Sequence, residues 1–426
     1  MTKHSLIKGR TAPIISGNWT LNCKFGADLC APARILLLEN NERTVLAIIY
    51  KDGKIEAEIC FSYSHNPLNL SAYPQEIPRD ISITYTGSRI ALSVDGVLWD
   101  EEWPIGEPVF YGAVCTLLEA DFVLHEDVVE PGTVEPGVIT GLDGWRPEGH
   151  NTGAGDCMPF YHDGVYHLFY LFDRRSHKSK WGLGAHQWAH VSSRDLLNWK
   201  RHPLAVAIDS QSEGSICTGS VIYHDGMFWA FYSVRMSDKS PAGIAWATST
   251  DCISFTKTYR YFTLPEPYEG VSARDPCVFK SEDGLFHMLV TTSIRDGVCW
   301  KGALAHLTSN DLEQWRPQPP FLIWEGDDQP ECADYFLYNG WYYLVYSIRG
   351  VAYYEISKEP FTGFTKSENN IIGHDKLRVP KRAFFGEGRI IFAGFVAATP
   401  DGYGGTIQLL EAFQNTGGSL CFQPLR

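Results

Sequence analysis

Three acidic residues, Asp156, Asp275 and Glu331, occupy nearly the same place in three copies of a repeated sequence unit. Asp156 lies eight residues before the glycine of its turn, and Asp275 and Glu331 each lie nine residues before theirs. Hydrolysis of a glycosidic bond needs one carboxyl group ionised, as nucleophile or base, and another protonated as general acid. Acids brought to one pocket by the repeat could perform that chemistry. Three unrelated surface acids, among the 50 acidic residues of the chain, are the alternative.

The repeated unit is clearest at residues 155–170, where an apolar strand pattern, the turn Asp163-Gly164 and an aromatic-rich second strand follow one another. Asp-Gly favours a tight hairpin because glycine tolerates the positive φ that such turns require. The turn glycines are residues 164, 226, 284, 340 and 388, which are 62, 58, 56 and 48 residues apart. An all-β unit repeated at this period is typical of a propeller, and five units predict five blades.

The second and fifth units have no acid at the corresponding place, which holds Cys217-Thr218 and Val379-Pro380. A second repeat follows the first, since residues 193–199 and 309–315 share the pattern Ser-x-Asp-Leu-x-x-Trp. It predicts a turn and an outer strand in each unit, with the aromatic side chain packed between blades. If the first repeat marks the innermost strand of each blade, the three acids converge on one mouth of the central channel.

Residues 1–126 show short alternating strand patterns with turn signals, for example the hairpin around Asp52-Gly53. They predict a β-sandwich of the concanavalin or laminin-G kind, which either binds sugar or braces its neighbour. Residues 127–144 are predicted to be a linker, because residues 130–137 contain two Pro-Gly pairs. The fold class is therefore all-β, with a five-bladed β-propeller catalytic domain at residues 145–426 preceded by the sandwich.

The net charge of −14 argues against nucleic acid or an anionic membrane as a partner. No stretch approaches the roughly 20 apolar residues of a membrane span, and the first residues lead to no apolar run of signal-peptide length. Eleven cysteines are scattered without a CxxC pair, which indicates reduced, buried thiols. We therefore expect a cytoplasmic protein that acts on a small-molecule saccharide; the oligomeric state is not predicted.

The neighbours of the three acids predict different ionisation states. Arg274 directly precedes Asp275, and its guanidinium could keep that carboxylate ionised while binding sugar hydroxyls. Glu331 precedes Cys332 and an apolar segment, a setting that favours a raised pKa and the role of general acid. Asp156 would be the nucleophile.

The sequence resembles glycoside hydrolase family 32, the β-fructosidases, over residues 145 to about 395. The similar segments are Arg274-Asp275-Pro276, Glu331-Cys332-Ala333-Asp334, residues 166–170 and the stretch from Trp188-Ala189-His190 to Trp199. The family usually has Asn-Asp-Pro-Asn-Gly at its first acid, whereas this chain has Gly155-Asp156-Cys157-Met158-Pro159. Its sandwich normally follows the propeller, and here a sandwich precedes it. The chain is therefore expected to be a divergent member.

The resemblance implies a retaining hydrolase that releases terminal β-fructofuranosides from sucrose or short fructo-oligosaccharides. Asp156 would attack the anomeric carbon, Glu331 would serve as acid and base, and Asp275 would stabilise the transition state. Binding of the sugar is assigned to Arg274, Trp181, Trp188, His190 and Cys332. No cofactor is expected.

Two other interpretations of the function stay open, and a metal site is also considered. An arabinofuranosidase or xylosidase of the related propeller family 43 would use similar acids but invert the anomeric centre. A non-catalytic carbohydrate-binding protein would combine a degenerate propeller with a lectin-like sandwich. His186 and His190 could bind a metal on a helix, but no acid of the metalloprotease pattern lies between them, so no metal site is predicted.

Overall fold

The computed structural model describes residues 3–13, 17–24, 33–41, 43–64, 66–110, 112–126, 137–399 and 402–425. Eleven strands precede residue 127 in the described part of the chain. They are β1 (Lys3–Ser5), β2 (Trp19–Lys24), β3 (Ala33–Asn40), β4 (Arg43–Lys51), β5 (Lys54–Ile59), β6 (Leu68–Ala72), β7 (Asp80–Tyr85), β8 (Ile90–Val94), β9 (Val97–Glu102), β10 (Val114–Leu118) and β11 (Asp121–His125).

These strands form two antiparallel sheets, in the orders β1-β11-β2-β7-β8-β9 and β10-β3-β4-β5-β6. Apolar side chains from both sheets, including Trp19, Ile48 and Ile83, enclose one buried core. Alternate residues of β5 are buried, as expected for a strand with one face on a core and one face toward solvent. The predicted N-terminal β-sandwich is confirmed.

The remaining strands begin with β12 (Val138–Thr140), and the single helix of the described part, α1, spans Ser179–Gly182. The inner and second strands of the blades are β13 (Thr152–His162), β14 (Val165–Arg174), β17 (Glu213–His224), β18 (Met227–Met236), β21 (Arg274–Lys280), β22 (Phe286–Asp296), β25 (Glu331–Tyr338), β26 (Trp341–Ile348), β29 (Leu377–Phe385) and β30 (Arg389–Ala397). The outer strands are β15 (Gln187–Ser193), β16 (Asn198–Val206), β19 (Gly243–Ser249), β20 (Thr256–Phe262), β23 (Cys299–Ser309), β24 (Arg316–Ile323), β27 (Val351–Ser357), β28 (Thr365–Ile371), β31 (Gly405–Gln414) and β32 (Leu420–Pro424).

From β13 onward the strands group by fours into antiparallel blades I to V, which comprise β13–β16, β17–β20, β21–β24, β25–β28 and β29–β32. One bridge, between Ala154 of β13 and Gly405 of β31, connects blades I and V. The five-bladed propeller is therefore confirmed. β12 adds to the outer edge of blade I, although its residues fall in the predicted linker. Residues 127–136, which include most of the Pro-Gly segment, lie outside the described residues. Within the described ranges, no helix has the length and apolar character needed to cross a bilayer.

The hairpin of blade I shows why the repeat is readable in the sequence. Asp163 and Gly164 both have positive φ, 47° and 76°, as a two-residue turn of type I′ requires. The outer turns repeat as well: Asp195 accepts hydrogen bonds from the backbone of residues 197 and 198, and Asp311 accepts them from residues 313 and 314. Trp199, fully buried, donates from Nε1 to the carbonyl of Leu196 at 3.1 Å. The predicted turn with a packed aromatic is confirmed.

Every inner strand has a β-bulge, where two of its residues face one residue of the second strand. The bulges fall at residues 155–156, 217–218, 275–276, 332–333 and 379–380 of blades I to V. A bulge bends its strand and redirects the side chains beside it. The five bulges therefore turn one short segment from each blade toward the same end of the central channel.

Candidate active site

The three predicted acids lie at these bulges and line one funnel of about 590 Å³. Asp156 is the second bulge residue of blade I, Asp275 is the first of blade III, and Glu331 directly precedes the bulge of blade IV. The structure thus brings together three residues that are far apart in the sequence. It also places Arg274 and Cys332 in the lining of the same funnel.

Hydrogen bonds from three other blades fix the carboxylate of Asp156. The Tyr403 hydroxyl donates to Oδ1 at 2.8 Å and accepts the Asp156 N–H at 3.2 Å. Thr218 Oγ1 and the Cys332 thiol, the latter at 3.4 Å, both donate to Oδ2. Burial raises the pKa values of the Tyr403 hydroxyl and the Cys332 thiol well above their usual ranges, so both stay protonated as donors.

Gly155 explains the departure from the Asn-Asp pattern of the family. A Cβ at this position would lie 2.7 Å from Cε1 of Tyr403, too close for any side chain. The tyrosine ring therefore occupies the space beside Asp156 that a side chain at residue 155 would need.

Arg274 connects the other two acids. Its Nη2 lies 2.8 Å from Oε1 of Glu331, and its Nε lies 3.7 Å from Oδ2 of Asp275. Burial raises the pKa of Glu331; Arg274 opposes this shift and Asp275 adds to it. A carboxyl group in this setting is suited to hold a proton for transfer, as the sequence predicted.

Asp275 differs from its prediction. Its side chain is buried, and Oδ2 accepts one hydrogen bond, at 3.1 Å, from the backbone N–H of Cys332. Burial raises the pKa of Asp275, with Asp156 adding to the shift, although Arg274 acts in the opposite direction. The Arg274 guanidinium therefore reduces the upward shift of the Asp275 pKa without reversing it. Desolvation outweighs the predicted stabilisation of the Asp275 carboxylate.

A polar wall of the funnel was missed in the sequence. His186 Nε2 lies 3.0 Å from Oδ1 of Asp173, and that oxygen also accepts the N–H of His177 at 2.8 Å. Desolvation lowers the pKa of His177 to about 4, so its ring is neutral near pH 7. Arg235 Nη1 lies 3.3 Å from Nε2 of His177. His186 was considered from the sequence only as a possible metal ligand, and no motif marked Asp173, His177 or Arg235, because the grouping depends on the path of the loop after β14.

Three predicted wall residues are not in the funnel. Trp188 is fully buried in the core between blades I and II, where its Nε1 donates to the carbonyl of Cys217 at 2.9 Å. His190 is buried against Phe169 and bonds to His167 at 3.0 Å. Trp181 is 41% exposed and contacts Tyr63 of the sandwich, with ring centroids 5.7 Å apart. These aromatic side chains were expected to contact a sugar, but they pack within the propeller or against the sandwich instead.

Among the described residues, Asp156, Asp275 and Cys332 form the one group with potential metal ligands close together, all within 4.8 Å. The Cys332 thiol donates to Asp156, and its backbone N–H donates to Asp275. The proximity of these three potential ligands is thus accounted for by hydrogen bonds between them. His186 and His190, considered above as a metal pair, contact different partners, Asp173 and His167.

Five blades around a funnel that holds three carboxyl groups and an arginine define a β-propeller of the glycoside hydrolase type. Residues 157–377 match the glycosyl hydrolases family 32 N-terminal domain, and the chain belongs to this family. The match starts at the residue after Asp156 and contains both Asp275 and Glu331.

Similar proteins include the probable sucrose-6-phosphate hydrolase of Psychromonas ingrahamii, which is 30% identical over 263 residues, 57% of this chain and 44% of that protein. The chain thus spans less than half the length of this relative. A family 32 β-fructofuranosidase mutant from Bombyx mori, solved with sucrose, has a TM-score of 0.52 and 22% identity over 64% of this chain and 63% of that one. Fructan 1-exohydrolase IIa from Cichorium intybus has a TM-score of 0.55 and 19% identity over 69% and 62%. At these identities the two structures show the shared fold.

Proposed function

We propose that this protein hydrolyses terminal β-fructofuranosides, such as sucrose or short fructo-oligosaccharides, with retention of configuration. The observation that carries the proposal is the convergence of Asp156, Asp275 and Glu331 in one funnel, with Arg274 against two of them. Membership of the family and the saccharide bound in the Bombyx mori structure support a saccharide substrate.

Each acid has a distinct task in this mechanism. Asp156, oriented by its hydrogen bonds, attacks the anomeric carbon as the glycosidic bond breaks, and Glu331 gives its proton to the leaving oxygen. The attack forms a covalent bond between Asp156 and the anomeric carbon. Glu331, then ionised, removes a proton from water as the water oxygen attacks that carbon, and the bond to Asp156 breaks to free its carboxylate. Asp275 binds ring hydroxyls, and its carboxylate, when ionised, stabilises the positive charge that develops on the sugar. Arg274, beside it, binds ring hydroxyls and opposes the burial that favours the protonated form of Asp275.

The test is fructose release by Asp156→Asn and Glu331→Gln. We expect each variant to fold and to lose activity by about 10³-fold or more, because each removes a group that acts in the transition state. Glu313→Gln is a matched control, since Glu313 is an exposed acid paired with Arg260 far from the funnel. Near-normal turnover in either active-site variant would contradict the proposal.

NMR that identifies which anomer of the sugar is released first separates the remaining interpretations. Retention supports the family 32 mechanism, and inversion would support chemistry of the family 43 kind. Binding of fructosides with no hydrolysis over days would identify a non-catalytic carbohydrate-binding protein.

A substrate that carries a phosphate group is a second candidate, favoured by two arginines of the funnel. Arg235 and Arg378 line it, and neither forms an ion pair with a described carboxylate. Arg349 and Arg274, which also line the funnel, do form such pairs. The relative from Psychromonas ingrahamii is named a probable sucrose-6-phosphate hydrolase. Guanidinium groups without a carboxylate partner among the described residues are suited to a phosphate, also in a chain of net charge −14.

This candidate predicts a higher kcat/KM for sucrose 6-phosphate than for sucrose. Arg378→Gln should reduce that preference about tenfold or more while leaving turnover of sucrose nearly unchanged. Equal kcat/KM values for the two sugars in the unmodified protein would contradict it and leave the hydrolase proposal intact.

A further inference from the structure

Three consecutive acids of the sandwich, Asp100, Glu101 and Glu102, are almost completely buried, with exposures of 1%, 5% and 4%. They lie at the end of β9, where the sandwich meets blade I. Trp103, the next residue, is buried in the core between blades I and II. Buried carboxylates are stable only when they are paired and hydrogen-bonded, so their partners indicate what this segment does.

Those partners are two consecutive arginines of the propeller, Arg174 and Arg175. Arg174 donates from Nε and Nη2 to Oε1 of Glu101, at 2.9 and 2.7 Å. Arg175 Nη2 donates to Oδ2 of Asp100 at 2.7 Å, and its Nη1 lies 3.4 Å from Oε2 of Glu102. The acids of one domain thus hold two adjacent residues of the other.

The next two residues, Ser176 and His177, line the funnel. Arg175, Ser176 and His177 all have left-handed backbones, with φ of 59°, 50° and 67°. Non-glycine residues keep such a conformation only where the surrounding structure determines it. On the far side of the turn, the backbone N–H of Lys180 donates to Oε1 of Glu102 at 2.6 Å. The sandwich therefore binds this unfavourable turn from both sides.

We infer that the sandwich is a working part of the active site, in which Asp100, Glu101 and Glu102 are positioning residues for the funnel wall at Ser176 and His177. The neutral His177 ring then meets Arg235 and the saccharide in a fixed orientation. The kinetic part of this inference depends on the proposed function, whereas the structural part does not. It assigns the N-terminal sandwich a role in positioning the turn, beyond bracing its neighbour.

The first experiment is hydrogen exchange followed by mass spectrometry on the full chain. Asp100→Asn keeps the shape of the side chain and removes the charge that holds Arg175. We expect faster exchange in residues 175–184 and unchanged exchange in blade III. Glu56→Gln is the control, because Glu56 pairs with Lys54 at the exposed surface of the same sandwich. Unchanged exchange at residues 175–184 in folded Asp100→Asn would overturn the inference, whatever the activity of the protein.

The second experiment is a double-mutant cycle on kcat/KM with Asp100→Asn and His177→Ala. If Asp100 acts through the turn, we expect kcat/KM of Asp100→Asn to fall about tenfold, mainly through a higher KM. Adding Asp100→Asn to His177→Ala should then cause little further loss of kcat/KM. Asp100→Glu, which retains the charge, should restore part of the loss. Additive effects would overturn the inference. Absence of fructosidase activity in the unmodified protein would refute the proposed function alone, because the exchange experiment does not depend on it.

Discussion

The carboxylate of Asp156 is oriented by residues that belong to three different blades. Tyr403 lies in the loop before β31 of blade V, Thr218 lies in blade II, and Cys332 lies in blade IV. A nucleophile held this way has its oxygens fixed before substrate arrives, which reduces the reorganisation needed in the transition state. Closure of the propeller, which brings these blades together, is thus needed to orient the Asp156 carboxylate.

Tyr403→Phe tests that orientation. The hydroxyl makes two hydrogen bonds with Asp156, and a bond to a charged group is worth about 1.5–3 kcal/mol. We expect kcat for fructose release to fall by about 10- to 100-fold, with a smaller change in KM. Tyr166→Phe is the matched control, since Tyr166 is also fully buried but its hydroxyl donates to Ile391 away from the funnel. Equal losses in both variants would show that the effect is not specific to Asp156.

Glu331 predicts a pH dependence of stability. Its pKa is raised in the folded state, so the folded protein binds the proton more tightly than the unfolded chain does. The stability that Glu331 contributes is therefore present at low pH and is lost as pH rises through the folded pKa. Glu331→Gln resembles the protonated form at every pH. Between pH 4 and pH 7, the melting temperature of the unmodified protein should fall relative to this variant; a difference that stays constant with pH would contradict the shift.

The inner strands show what the sequence could predict and where it stopped. The turn glycines, which follow Asp in blades I to III, Asn in blade IV and Glu in blade V, located the five blades, because the backbone requirement of such a turn is local. Counting back from the turn glycine gave only an approximate position for each acid on its strand, because the hairpin turns differ in length. In blade I His162 pairs with Val165, whereas in blade III Lys280 pairs with Phe286 across a longer connection. The three acids hence occupy three successive positions at the bulge. The funnel wall at His177 was not predictable, because contacts with the distant β9 hold its turn.

The outer turns allow a prediction about a single element. Asp311 Oδ1 accepts the N–H groups of Glu313 and Gln314 at 2.9 and 2.8 Å, as Asp195 does in blade I. Asp311→Ala removes the one oxygen that accepts both hydrogen bonds and should lower the free energy of unfolding by about 1 kcal/mol without changing activity. Asp311→Asn retains an acceptor oxygen and should cost less. Thermal unfolding of the two variants measures the difference. An equal cost for both would assign the effect to the lost charge.

On the scale of the whole molecule, the sandwich and the propeller share both charges and apolar core. Trp103 of the sandwich is 2% exposed and packs with Phe169 and Trp188 of the propeller. Gln211, in the loop before β17, bonds to the backbone of Gly87 and Gly106 in the sandwich. The Trp103 contact is buried, and the Gln211 contact lies just before the inner strand β17. Because unfolding of one domain would break both contacts, we expect the two domains to unfold cooperatively.

Trp103→Ala tests this coupling. Removing a buried tryptophan costs about 3–5 kcal/mol, and here the loss falls on the contact between the domains. Calorimetry should show one transition for the unmodified protein and two for Trp103→Ala, with lower activity because the turn at His177 loses its support. Trp19→Ala removes a tryptophan from the core of the sandwich alone and should destabilise the protein without changing how the domains are joined. Two transitions in the unmodified protein would contradict the expected cooperative unfolding of the two domains.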